Sequence, residues 1–186
     1  MLYSSTYISP LGTLFLESNE SYLIGLKNNY WRQHSKTSLS SSPDGSKLPC
    51  IQQTKKWLDI YFSRQKPYFI PPLSLSGSDF QKLVWQLLLD IPYGNLTTYG
   101  EIAHLIAQRR GLKSMSAQAV GGAVGANPIA IIVPCHRVIG KHSNLTGYAG
   151  GLKFKSKLLE LEGIGAEDLV MPKNSRFLET PLDAID

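Results

Sequence analysis

The sequence predicts two successive units of different class, a small α/β unit followed by a mainly helical one, and three observations carry that expectation. Short β-prone runs around a polar turn open the chain and give way to one amphipathic helix. A segment with Pro67, Pro71 and Pro72 then reads as an extended crossing. Beyond it, helix-start signatures recur and the apolar spacing turns helical. The expected boundaries are 1–76 for the first unit, 77–165 for the second and 166–186 for a C-terminal tail.

Taken in order, Gly12 to Ser18 and Ser21 to Leu26 read as a hairpin about Asn19-Glu20. Residues 35–49, serine-rich with Pro43-Asp44-Gly45, read as a solvated loop. Trp57, Leu58, Tyr61 and Phe62 share one face of a helix over 54–62. Nothing in 1–76 offers chemistry, so a supporting role is expected there. Ser78 and Gln81 form a capping box, and Leu83, Val84, Leu87 and Leu88 give the following helix its apolar face. Thr98 and Glu101 repeat the box before a helix with Ile102, Leu105 and Ile106 on its stripe and Gly111 as its stop. A third helix starts near Ser116, although Gly121 and Gly122 weaken it by up to about 1 kcal/mol each relative to alanine. Its small residues permit close approach by something flat. A helix-turn-helix and a plain αα-hairpin both give this pattern, and on pattern alone the hairpin in a core is the favoured reading. The last helix, 153–162, carries Leu158, Leu159 and Leu161 and ends at Gly163; 166–186, with Pro172 and Pro181, reads as an irregular tail.

At 42% hydrophobic residues and a mean hydropathy of −0.10, the composition is that of an ordinary soluble protein. No apolar run reaches the length of a membrane span, Met1-Leu2-Tyr3 does not read as a secretory signal, and cytoplasmic residence is expected. Cys50 and Cys135 lack metal or redox spacing, and His34, His104, His136 and His142 are scattered, so neither metal nor cofactor is expected. The net charge of +5 permits a polyanionic partner. Its placement is more informative: Arg109, Arg110, Lys113, Lys141, Lys153, Lys155 and Lys157 flank one apolar stretch, and Arg137 lies within it.

That stretch is Ile131-Ile132-Val133-Pro134-Cys135-His136-Arg137-Val138-Ile139-Gly140. Its β-branched run reads as a short buried strand ended by Pro134, with Cys135 where the strand emerges into a pocket. His136 and Arg137 stand close enough to lower the thiol's pKa and raise its nucleophilic thiolate fraction. A cysteine without such neighbours is more often a small buried hydrophobe.

Pro-Cys-His-Arg-Val, preceded by Asn127-Pro128 and followed by Gly147-Tyr148-Ala149-Gly150-Gly151 and Leu161-Glu162-Gly163, resembles the methylated-DNA–protein-cysteine methyltransferases. The match runs from about Ser78 to Gly163 and is weaker before it. The resemblance implies a ribonuclease H-like first domain, then a winged-helix-like, DNA-binding helix-turn-helix domain. It also implies repair of double-stranded DNA: an alkyl group passes from O6 of guanine, with O4-alkylthymine a second candidate, to Cys135. The protein is then spent after one turnover, and a monomer is expected.

By the same resemblance, His136 is the base through a water, Glu162 orients it, Asn127 braces the active-site turn, and Tyr99 helps rotate the nucleotide and donates to the guanine ring. Val138 offers its carbonyl to the guanine amino group, while Tyr148, Ala149 and Gly150 form a lid. Thr98, Ala119, Gly121, Gly122 and Arg137 fall on the DNA side. Family members commonly place an arginine where Gln118 stands here, and Arg109, Arg110 or Lys113 is expected to make up the lost attraction. Two rivals differ in outcome. A non-catalytic module for alkylated bases would lack the reactive cysteine, and a Cys-His-Glu hydrolase would turn over many times.

Overall fold

In Gly12–Ser18 every second residue is buried, among them Leu14 and Leu16, as a half-buried strand requires. This strand, β2, lies between β1 (Tyr3–Ser9) and β3 (Leu23–Asn28) in an antiparallel meander of order β1-β2-β3. The computed structural model describes residues 1–34 and 42–171. β1 was not foreseen. Its sequence is Tyr-Ser-Ser-Thr-Tyr-Ile-Ser and only Ser9 of it is buried, so no apolar alternation marks it. α1 (Asn29–His34) follows β3.

α2 runs over Pro49–Phe62, five residues earlier than its apolar face suggested. Pro49 stands in the first turn, where its missing N–H costs nothing, and Cys50, Ile51 and Thr54 continue the buried face of Trp57, Leu58 and Tyr61. Of the serine-rich 35–49, residues 35–41 lie outside the described residues; Asp44 pairs with Ser4. Residues 1–76 form one compact unit with 128–132, whose Pro128 carbonyl and Ala130 N–H bond to Leu26 of β3.

The expected strand before the cysteine is absent. Ile129 makes one isolated bridge to Leu26. Ile131 then sits at φ 68° inside a γ-turn closed by Ile132 N to Ala130 O at 2.7 Å. Positive φ is rare for a β-branched residue, so the backbone here is strained, and the apolar run is buried as a turn.

The second unit comprises 77–127 with the chain from Val133 onward. Both capping boxes form: Ser78 with Gln81 opens α3 (Asp79–Leu89), and Thr98 with Glu101 opens α4 (Tyr99–Arg110). Gly111 ends α4 at φ 63°, the left-handed stop expected of it. α5 spans Ala117–Gly125 behind the Ser116 cap, and α6 spans Leu152–Leu161. On α4 the buried stripe is Ile102, Ala103, Ile106 and Ala107, while Leu105 points out. β4 (Thr97–Thr98) pairs in parallel with β5 (Val138–Ile139), two residues each and too short to announce themselves. Leu145, Leu152, Leu159 and Ile164 form the core beneath them. The tail starts more ordered than expected, with a 3-10 turn at Ala166–Asp168 and Val170 bridging Asn144; 172–186 lie outside the described residues. Among the described residues no helix is long and apolar enough to cross a membrane.

α3 and α5 are joined by Trp85, whose buried indole Nε1 donates to the Ala123 carbonyl at 2.8 Å. Gly77 makes room for that ring, since a Cβ there would lie 2.6 Å from it. Trp85→Phe leaves the carbonyl unsatisfied and should lower unfolding free energy by about 1–3 kcal/mol, measured as a shift in the denaturant midpoint.

Candidate active site

Cys135 opens a 3-10 turn, Cys135–Arg137, directly after Pro134. Pro134, at φ −81° and ψ 63°, is the centre of an inverse γ-turn closed by Cys135 N to Val133 O at 2.8 Å. Asn127, just past α5, pins this turn from inside. Its Nδ2 donates to Val133 O at 2.8 Å and to Cys135 Sγ at 3.1 Å. The amide therefore braces the backbone and touches the sulfur at once.

Glu162, capping the C-terminus of α6, collects the neighbouring donors. Its Oε1 lies 2.7 Å from His136 Nε2, and its Oε2 accepts from Arg137 Nε at 2.8 Å and from the Gly94 N–H at 3.0 Å. Arg137 Nη2 adds a bond to Oε1 at 3.0 Å, and Nη1 donates to the Ile91 carbonyl at 2.7 Å. Arg137 was expected on the DNA side; it is instead buried, with its fork committed to this carboxylate. Burial pushes the Glu162 pKa up, but hydrogen bonds and charge from His136 and Arg137 outweigh it and hold the carboxyl well below its usual range. Burial also lowers the His136 pKa, against the pull of Glu162, so the imidazole is neutral. A carboxylate only accepts, so Nε2 carries the ring proton and Nδ1 keeps its lone pair, the form a base needs.

Cys135 is only 4% exposed. Burial raises the Cys135 pKa, contrary to the expected lowering by His136 and Arg137. The opposing influences come from the Asn127 hydrogen bond, the charge of Lys155 and the hydroxyl of Tyr148. At rest the group is a thiol that requires a base.

Lys155 is the residue that sequence reasoning missed, having counted it only among the flanking charges. It is fully buried, and its Nζ donates to Val138 O at 2.6 Å and Thr146 O at 2.8 Å. It thereby ties the strand after the cysteine to the glycine-rich loop. Burial pulls its pKa down to about 8, against the attraction of the Cys135 sulfur. A signal existed: Lys155 lies on the stripe of Leu152, Leu158 and Leu159, where a lysine must have an internal task.

A cavity of about 760 Å³ is walled by Tyr99 of α4, by Gln118, Gly121 and Gly122 of α5, and by Lys141 and Gly147 of the following loop. Cys135 and Val138 are not among its described lining residues, whereas Tyr99 is. Its hydroxyl lies 3.4 Å from the Thr146 carbonyl and 3.3 Å from that of Gly147, and burial, with the charge of Cys135, raises its pKa to about 12. Tyr148 stacks on Phe154, and its buried hydroxyl makes no well-aligned hydrogen bond among the described residues while standing near the sulfur. Ala149 is half-buried and Gly150 buried in the same loop. Thr98 spends its hydroxyl accepting from the Glu101 N–H, and Ala119 is exposed on α5 outside the cavity lining. Among the described residues no cluster of His, Cys, Asp or Glu is suited to a metal ion.

Residues 79–164 match the family model described as 6-O-methylguanine DNA methyltransferase, DNA binding domain. The chain is 39% identical to a methylated-DNA–protein-cysteine methyltransferase of Haemophilus influenzae, over 88% of this chain and 87% of that protein. It is 44% identical to the one of Mycobacterium bovis, over 87% and 93%. The crystal structure of Mycobacterium tuberculosis OGT in complex with DNA superposes with a TM-score of 0.73 at 40% identity, covering 89% of this chain and 96% of that one.

Two outcomes follow from the site's charges. Glu162→Gln should cost about 3–5 kcal/mol at pH 7, because it strands Arg137 in a buried site. Since the folded pKa of Glu162 is depressed, its stabilisation is full above the unfolded value and fades as pH falls toward the folded one. The deficit should therefore shrink in acid, as denaturant titrations at several pH values would measure. Lys155→Met should move the pH dependence of Cys135 alkylation by iodoacetamide to higher pH, read by peptide mass, with Lys155→Arg falling between.

Proposed function

The chain belongs to the methylated-DNA–protein-cysteine methyltransferase family, and on that premise we propose that Cys135 receives the alkyl group which the protein removes from O6 of guanine in DNA. The activity is DNA repair by direct reversal, and the partner is DNA. In our reading His136 Nδ1 takes the thiol proton through a water, and the Cys135 thiolate attacks the alkyl carbon in line. The C–S bond forms as the C–O bond breaks, and the departing guanine gains a proton on its ring, with Tyr99 donating toward it. Val138 offers its carbonyl to the guanine amino group, sharing that oxygen with Lys155. Tyr148, Ala149 and Gly150 close over the base. Asn127 holds the sulfur, and Glu162 fixes the imidazole tautomer.

A guanine inside a duplex cannot reach a buried sulfur, so the nucleotide swings out, at a cost of a few kcal/mol, into the cavity beside Tyr99. Gly121 and Gly122 keep the α5 face flat for the DNA, with Ala119, Thr98 and Gln118 around it. We read α4 and α5 as a helix-turn-helix in a winged-helix-like domain over 77–165, and 1–76 as a ribonuclease H-like supporting domain. A cytoplasmic monomer without cofactor completes the reading, and O4-alkylthymine is a second substrate candidate. The observation that carries the proposal is the pair of contacts made by adjacent residues: Asn127 on the Cys135 sulfur at 3.1 Å and Glu162 on His136 at 2.7 Å.

The product is a thioether, which has no easy route back to thiol, so each chain acts once. Mixing the protein with a duplex containing O6-methylguanine should add one methyl to the peptide holding Cys135, at one-to-one stoichiometry, seen by intact and peptide mass. Cys135→Ser should take up none, and His136→Ala should slow transfer by about 10²–10⁴. Restored guanine beside an unmodified protein would sink the proposal.

A further inference from the structure

Among the described residues that line the cavity, Lys141 alone is charged. Its side chain is exposed and makes no hydrogen bond or ion pair among the described residues. Gln118 reaches the same cavity from α5 and is likewise exposed and unbonded among the described residues. Arg109, considered above as a substitute for the charge that Gln118 lacks, lines a separate groove with Asp90 and Glu101. Arg110 and Lys113 do not line the cavity.

The backbone that carries Lys141 is held at a cost. His142 (φ 56°) and Ser143 (φ 57°) are consecutive non-glycine residues in the left-handed region, a conformation worth on the order of 1–3 kcal/mol of strain each. Neighbours lock it in place. Gly140 N donates to Asn144 O at 2.8 Å, and the Ser143 carbonyl accepts from Val170 N at 2.9 Å. Gly140 also has little space, since a Cβ would sit 3.2 Å from both Asn144 O and Thr146 Oγ1. The strained turn thus fixes the point from which the lysine extends at the cavity wall.

We propose that Lys141 is a positioning residue for DNA, its ammonium pairing with a phosphate of the strand whose nucleotide enters the cavity. It restores, from the opposite element, the charge absent at Gln118. The inference rests on the reading of the cavity as the nucleotide site. An ammonium on a flexible stem suits a phosphate as a point charge without fixed geometry.

The test is duplex affinity against salt, by fluorescence anisotropy with an O6-methylguanine duplex, in a Cys135→Ser background so that binding is read without transfer. Lys141→Ala should lower the slope of log affinity against log salt by about 0.9, one phosphate's share, and weaken binding roughly five- to tenfold near 0.1 M salt. Lys141→Arg should keep the slope, and Lys141→Ala with Gln118→Arg should recover it. An unchanged slope in Lys141→Ala overturns the inference, and so does an equal loss in Lys141→Arg, which would mark a structural effect. The unsubstituted protein, mixed with the same duplex, separates the two ideas. Absence of methyl on Cys135 there overturns the proposed function, whereas the slope judges Lys141 alone.

Discussion

A carboxylate with almost no access to water cannot stay ionised without donors, and Glu162 is given them by three residues: His136, Arg137 and Gly94. This arrangement settles most of what surrounds it. Because the carboxylate is charged and only accepts, it fixes which imidazole nitrogen holds the proton. Burial, with the charge of Arg137, outweighs the pull of the carboxylate on the imidazole and keeps it neutral. Gly94 approaches closely enough to donate its N–H only because nothing projects from its Cα; at φ 74°, a side chain there would be strained and would crowd the Glu162 carbonyl.

The sulfur belongs to a second charge system. Lys155 is buried with two carbonyl oxygens and, among the described residues, no carboxylate partner, and the charge that acts on it is that of Cys135. Burial pushes the Cys135 thiol up, while the Asn127 hydrogen bond, the charge of Lys155 and the Tyr148 hydroxyl pull in the opposite direction. One ion pair, Arg137 with Glu162, is permanent. A charge pair between Lys155 and Cys135 requires the thiolate, which burial disfavours.

Much of the helical unit could be read from residue order. Two capping boxes, a glycine stop and leucine spacing act over three or four residues, and these placed α3, α4 and α6. The same reading failed where burial comes from distant chain. β1 is polar, yet it pairs with β2 through backbone bonds that carry no side-chain signature. Ile131-Ile132-Val133 has the composition of a strand but folds as a turn, because the apolar surroundings accept the side chains without a paired partner. Leu105 fits its stripe by number and still points outward.

By itself the sequence determined the chemistry available: a cysteine, a histidine and a glutamate in order, with an asparagine before them and a small-residue helix beside them. It also determined the local helix signals, which depend on neighbours a turn away. Tertiary structure decided the assignment of charge. Whether Arg137 faced DNA or Glu162, whether Lys155 was solvated or buried, and whether the thiol's pKa rose or fell all depended on desolvation and on partners from other elements. Residue order cannot encode those distances, because burial is a property of the packed chain and not of any segment within it.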